Sequence, residues 1–471
     1  MSDDLVYSSA ARLAALISTR QLSPVELVQA YLDRIDRLDG RLRAYITVTR
    51  ETALVMARLA EAAVLRGLPL GPLHGVPFAV KDQFATRGVR TTSGSRLLAD
   101  SVPDHDATVV ARLAAAGGIL LGKLNLTEFA LGGTIHYPFG QPRNPWNTDH
   151  DTGGSSAGSG SATAAALCAV SLGEDTGGSV RSPASWCGVA GHRPTWGLVS
   201  RHGCIPLAWS LDAPGPLGRT VEDCALVLEI IAGHDPSDPL TARRATPDYR
   251  AALTGDVRGL RVGVIRELML GNETDSEMRE GVLAATKVLA GLGAVVEEVS
   301  LPLVPRAGAA FMAICDSEGA GRHLQTLRTR AGDYDEGTRR RLLTAALLPA
   351  GLVHKAQQAR AAIRAQIVGA LARHDVLVAP TSPRPAPTIA NYTAPITSKA
   401  QAITHFFTRR SFPTPASLAG VPAMAVPCGF SAAGLPLSLQ IIGRRFEDAK
   451  VLRVGHAYEQ ATDWHTRRPG I

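Results

Sequence analysis

The apolar positions along this chain switch repeatedly between a helical and a strand period. After Ser23-Pro24-Val25-Glu26, a capping box with Pro in the first turn, Leu27, Val28, Tyr31, Leu32, Ile35 and Leu38 share one face, which predicts a helix ending at Gly40. Residues 42–48 read as a strand, and 51–66 as a second amphipathic helix closed by Gly67. Val76-Pro77-Phe78-Ala79-Val80 is an apolar run leading into Lys81, the pattern of a buried strand whose last side chain emerges at a sheet end. Further helices are expected over 106–116, 220–233, 276–292 and 448–462, and strands over 119–122, 260–265, 294–299, 376–381, 423–427 and 437–442. Asn125-Leu126-Thr127-Glu128 has the spacing of another capping box. Residues 305–327 and 339–373 are Ala- and Arg-rich and read as helical, the second broken near Pro349 and Gly351. Gly- and Pro-rich loops are expected over 132–146, 182–219 and 383–395. The alternation predicts an α/β fold with a large mixed, mostly parallel β-sheet core surrounded by α-helices. No internal repeat or linker divides the sequence, so one domain over 1–471 is expected, with a more variable helical, substrate-side region at about 240–375.

Between the predicted elements, residues 151–181 stand apart. Two Gly-Gly-Ser clusters, Gly153-Gly154-Ser155 and Gly177-Gly178-Ser179, flank a run over 162–172 that is almost wholly apolar, which a solvated Gly/Ser linker would not carry. Glycine allows close backbone approach, and a serine hydroxyl becomes a nucleophile once a base removes its proton. Lys81 admits two readings: an ion pair with Asp82 or another carboxylate, or a desolvated amine acting as that base.

Composition excludes several other chemistries. A net charge of +7 is small for 471 residues, the densest basic cluster is Arg339-Arg340-Arg341, and aromatics are only 5%, so no nucleic-acid groove is expected. The six cysteines show no CxxC pairing and are expected as buried free thiols in a reducing compartment. The acidic N-terminus lacks a hydrophobic signal region, and no run reaches the roughly 18 apolar residues of a membrane span; a cytoplasmic protein without a membrane partner is expected. Gly153-Gly154-Ser155-Ser156-Ala157 fails the Gly-x-Ser-x-Gly elbow at its last position, and no phosphate-binding Gly-x-x-x-x-Gly-Lys-Ser/Thr occurs. The 13 histidines form no His-x-x-x-His pair, so no metal site is expected; His105, His136, His150, His192 and His202 could serve as bases but are scattered. Serine with a lysine base is what remains.

At this point the sequence resembles the amidase signature family. The matching stretches are HGVPFAVKD at 74–82, DATVVARLAAAGGILLGKLNLTEFALGG at 106–133, GGSSAGS at 153–159, DTGGSVRSPASWCGVAGHRPTWG at 175–197, SLDAPGPLGRTVEDCALVLEIIAGHD at 210–235, AGVPAMAVPCGF at 419–430 and GLPLSLQIIG at 434–443. The resemblance implies Ser179 as the nucleophile that forms an acyl-enzyme, Ser155 (after a cis peptide bond) as proton relay, and Lys81 as the terminal base, neutral at rest. It implies an oxyanion hole from the backbone N–H groups of Thr176, Gly177, Gly178 and Ser179, with Asp175 and Arg181 bracing the loop. Phe129, Ala130 and Gly132 lie where members often line the acyl pocket. The implied activity is C–N hydrolysis of a small amide, aryl amide or carbamate, without cofactor or metal, by a monomer or homodimer. The alternative is the glutamine-hydrolysing component of a tRNA-dependent amidotransferase, which works with partner chains. Those components hold glutamine with Tyr, Arg and Asp side chains, and residues 342–366 contain no tyrosine.

Overall fold

The computed structural model of the chain describes residues 3–271 and 273–471. Its strands are β1 (Tyr45–Val48), β2 (Pro77–Lys81), β3 (Ile119–Leu124), β4 (Val170–Glu174), β5 (Ala190–Arg193), β6 (Pro214–Gly218), β7 (Arg261–Ile265), β8 (Val295–Val299), β9 (Val376–Pro380), β10 (Ala423–Phe430) and β11 (Pro436–Gly443). All join one sheet in the order β1-β3-β2-β4-β6-β5-β10-β11-β9-β7-β8.

The sheet is mixed and wrapped by helices, as expected, but it is not mostly parallel. Parallel pairing is confined to two trios, β3-β2-β4 and β9-β7-β8. The strands between them, and β1 at the edge, pair antiparallel. The antiparallel centre was hidden because β5 and β6 lie in the stretch 182–219, whose glycines and prolines read as loop. Pro214 and Pro216 are tolerated in β6 because β5 pairs with it only at Leu217 and Gly218, so on that side neither proline faces a partner needing its missing N–H.

The helical periods translate into structure with small boundary changes. The first amphipathic helix runs Pro24–Leu42, past Gly40, and ends on Arg43 in the left-handed conformation; the Ser23 hydroxyl accepts from the Val25 and Glu26 N–H groups. The helix expected over 220–233 runs Val221–Ile231, capped by a box in which the Thr220 hydroxyl accepts from the Asp223 N–H. The break near Pro349 separates Glu336–Ala346 from Ala350–Arg373. Asn125-Leu126-Thr127-Glu128, in contrast, starts no α-helix. Glu128–Ala130 is a single 3-10 turn in which Phe129 has φ 50°, and Glu128 instead binds Ser95 Oγ and the Asp335 N–H.

Between the two glycine clusters, Ala157–Ala164 forms a helix buried throughout, and the apolar run continues from its end into β4. Because β2 and β4 are parallel neighbours, with Val80 opposite Leu172, the ends carrying Lys81 and Glu174 open on the same edge of the sheet. That edge, at the carboxyl ends of parallel strands, is where α/β sheets place their sites. All six cysteines are free, and no helix among the described residues is long and apolar enough to cross a membrane.

Candidate active site

Lys81 is the last residue of β2 and wholly buried, with its Nζ 2.7 Å from Ser155 Oγ and donating to it. It does not pair with Asp82. The adjacent side chain points to the other face of the strand, where Asp82 meets Lys123 at 3.3 Å. Ser155 follows a cis Gly154–Ser155 peptide and lines a cavity whose wall also contains Ser179, Thr176 and Gly177. Ser155 and Ser179 therefore line one cleft, with Lys81 buried behind Ser155.

The loop 175–180 is built around Asp175. Its carboxylate accepts from the N–H groups of Gly178 (2.7 Å) and Val180 (3.2 Å) and is gripped by Arg181 through Nε (3.0 Å) and Nη2 (2.9 Å). Arg193 contributes a third guanidinium nitrogen at 3.1 Å. Burial alone would raise the Asp175 pKa, but these two guanidiniums outweigh it and hold the carboxyl below the usual carboxylate range. Asp175 thus ties the loop's amides to Arg181. Gly178 corrects the expected oxyanion hole, because its N–H is already committed to Asp175. The N–H groups of Thr176, Gly177 and Ser179 make no hydrogen bond among the described residues and remain available. Gly177 must be glycine: a Cβ there would sit 2.2 Å from the Phe311 ring.

Ala130 and Gly132 line the cavity, but Phe129 does not. Left-handed backbone at both Phe129 and Ala130 turns the phenyl ring away, to stack on His323 at 4.5 Å and Tyr334 at 5.8 Å beside a separate cavity. None of the histidines lines the serine cavity.

Sequence reasoning missed a carboxyl group. Glu174, at the end of β4, is fully buried with Oε2 3.7 Å from Lys81 Nζ. Thr176 Oγ1 lies 3.0 Å from Glu174 Oε1 and 2.8 Å from Asp212 Oδ1. One hydroxyl proton cannot serve two carboxylates, so one of the acids must carry a proton itself. Burial raises Asp212 too, but the N–H groups of Leu207 (2.9 Å) and Ala208 (3.0 Å) favour its anion, so the proton falls to Glu174. Burial pushes Glu174 up to about 8, and burial also lowers Lys81. Both shifts favour a neutral pair over an ammonium–carboxylate pair. The signal was available: Glu174 ends an apolar run just as Lys81 does, immediately before the second glycine cluster.

The far wall of the cavity comes from residues 311–413 and is cationic, with Arg341, Arg409 and Arg410 beside Tyr392 and Phe311. A tyrosine is thus present, though from outside 342–366.

A family model described as Amidase matches residues 26–452. A glutamyl-tRNA(Gln) amidotransferase subunit from Moorella thermoacetica is 42% identical over 492 residues, covering 99% of this chain and 99% of its own. Among solved structures, the Thermotoga maritima protein of the same description shares 36% identity at a TM-score of 0.79, covering 93% of this chain and 91% of its own. The peptide amidase of Stenotrophomonas maltophilia shares 33% identity at a TM-score of 0.85, with 98% of each chain covered.

Proposed function

This chain belongs to the amidase family and is a C–N hydrolase acting on amides, and from that premise we propose that it works through an acyl-enzyme on Ser179, with Ser155 and Lys81 as a proton relay. The observation that carries this reading is the 2.7 Å contact of a desolvated lysine amine with a serine that shares its cavity wall with a second serine and unpartnered amides. Ser179 Oγ attacks the amide carbonyl carbon. Its proton passes to Ser155, whose own proton moves to the Lys81 lone pair. Charge developing on the carbonyl oxygen is received by the N–H groups of Thr176, Gly177 and Ser179; one such preorganised donor is worth about 3–4 kcal/mol. The C–N bond then breaks as Ser155 returns a proton to the nitrogen, since an amine leaves poorly as an anion, and Lys81 reprotonates Ser155. Water attacks the acyl-enzyme by the same relay in reverse.

A second reading, glutamine hydrolysis as one component of a tRNA-dependent amidotransferase, is favoured by the full-length 42% identity to proteins of that description. A hydrolysis screen of the purified chain over aliphatic amides, anilides, carbamates and glutamine separates the two. Turnover of simple amides without partner chains is the outcome expected for an independent amidase, and turnover of glutamine alone, dependent on added partners, supports the second. On either reading Ser179→Ala is expected to abolish turnover in an amine-release assay, and full activity in that variant would end the mechanism.

A further inference from the structure

The catalytic cavity carries a charge imbalance that amide hydrolysis does not itself require. Its lining includes three arginines and no aspartate or glutamate. Arg341 is accounted for. Its Nη2 is 2.5 Å from Asp316 and its Nε 3.0 Å, while Nη1 donates to the Leu131 and Gly132 carbonyls, fixing the loop of the opposite wall.

The other two lack an ion-pair partner among the described residues, with Asp151 acting on Arg409 and Asp316 on Arg410 only from beyond contact. Arg410 donates through Nη1 to the His405 and Phe406 carbonyls of its own segment, at 3.1 and 2.9 Å, and among the described residues no partner is found for its Nε or Nη2. Arg409 donates through Nη2 to the Tyr392 hydroxyl at 3.0 Å and stacks on that ring, 4.7 Å from its centroid. Neither makes an ion pair among the described residues, although both are half-buried. Burial, with Arg341 and Arg409 nearby, pushes Arg410 down to about 9, so the site holds positive charge at a cost that an anion would relieve. Arg410 lines the cavity opposite Gly132.

We infer that the substrate is an amide that also bears an anionic group, a carboxylate by preference, seated on Arg410 and Arg409, and that it lacks a free ammonium beside that group. A planar guanidinium matches a carboxylate bidentately. An α-ammonium such as glutamine carries would meet cations and no unpaired carboxylate. The inference rests on the amide-hydrolase reading for the word amide, and on the cavity charges for the anion.

Three ligands of one chain length test it: glutaramate, which has the anion; pentanamide, its neutral counterpart; and glutamine, which adds the ammonium. Binding is measured calorimetrically to the Ser179→Ala chain, so turnover is not needed, and kcat/KM on the unaltered enzyme. Glutaramate is expected to bind at least tenfold tighter than either other ligand and to show the same order in kcat/KM. Raising salt should weaken glutaramate binding selectively. In Arg410→Gln the preference over pentanamide should collapse toward one, largely through KM, whereas Arg410→Lys should restore part of it. Should Arg410→Gln fail to fold, Arg409→Gln and the salt series carry the same readout. Equal binding of glutaramate and pentanamide overturns the inference, as does glutamine binding as tightly as glutaramate, or a preference untouched by the arginine substitutions. If the ligands bind in the expected order but none is hydrolysed, the reaction reading fails and the anion site stands.

Discussion

Two lysines end up buried on neighbouring strands of the same sheet, and their surroundings differ. Lys123, in β3, spreads its ammonium protons over Phe84 O and Thr91 Oγ1, both at 2.6 Å, with Asp82 at 3.3 Å. Lys81, one strand away, has a single short contact, to Ser155 Oγ; the Glu174 carbonyl is 3.4 Å off and the Glu174 carboxyl 3.7 Å. Desolvation lowers both amines. Burial alone therefore does not select a base. Burial pushes both partner carboxyls up as well, so the difference lies in the hydrogen bonds: Lys123 has two good acceptors and a carboxylate that the Thr92 N–H and hydroxyl also hold, while Lys81 has one short contact, to a serine.

Exchanging the two roles by substitution breaks the comparison in separate assays. The largest effect is expected for Lys81→Ala, a loss of kcat on the order of 10²–10⁴, the usual share of general acid–base catalysis; a wild-type rate and pH profile there would remove lysine from the mechanism. Lys123→Met is expected to cost about 3–5 kcal/mol of stability in denaturant unfolding, because it leaves Asp82 buried and unpaired. The folded fraction should keep most of its turnover, and a large loss of kcat at unchanged stability would show the two sites are not separate. The smallest effect is in Glu174→Gln. A protonated Glu174 and a glutamine are both uncharged, so the acid limb of kcat/KM, which rises as Lys81 loses its proton, should stay where it is. An anionic Glu174 would raise Lys81, so a move of that limb to lower pH in the variant would contradict the neutral pair.

Much of the proposed relay could be named from the sequence because it rests on local signals. Lys81 closes an apolar run, and Ser155 and Ser179 sit in glycine clusters that no linker explains. What escaped the sequence depended on distant geometry. The Thr176 hydroxyl between Glu174 and Asp212 joins residues 36 positions apart. The Gly178 N–H looked free until Asp175 claimed it, and Phe129 looked like a pocket residue until two left-handed residues turned it away. The proline strand β6 was masked by a composition that ordinarily means loop. The cationic wall was invisible for a plainer reason: Arg341 lies about 70 residues before Arg410, and only the fold brings them to one cavity.

Arg181 also ties the chemistry to chain completion. Its guanidinium reaches Pro413 O at 2.7 Å, Ser417 Oγ at 3.1 Å and Gln440 Oε1 at 2.5 Å, partners that leave the ribosome more than 230 residues after it. A nascent chain that has already made Lys81, Ser155 and Ser179 still lacks the far anchors of the loop that carries Ser179, so that loop's bracing waits for the last strands.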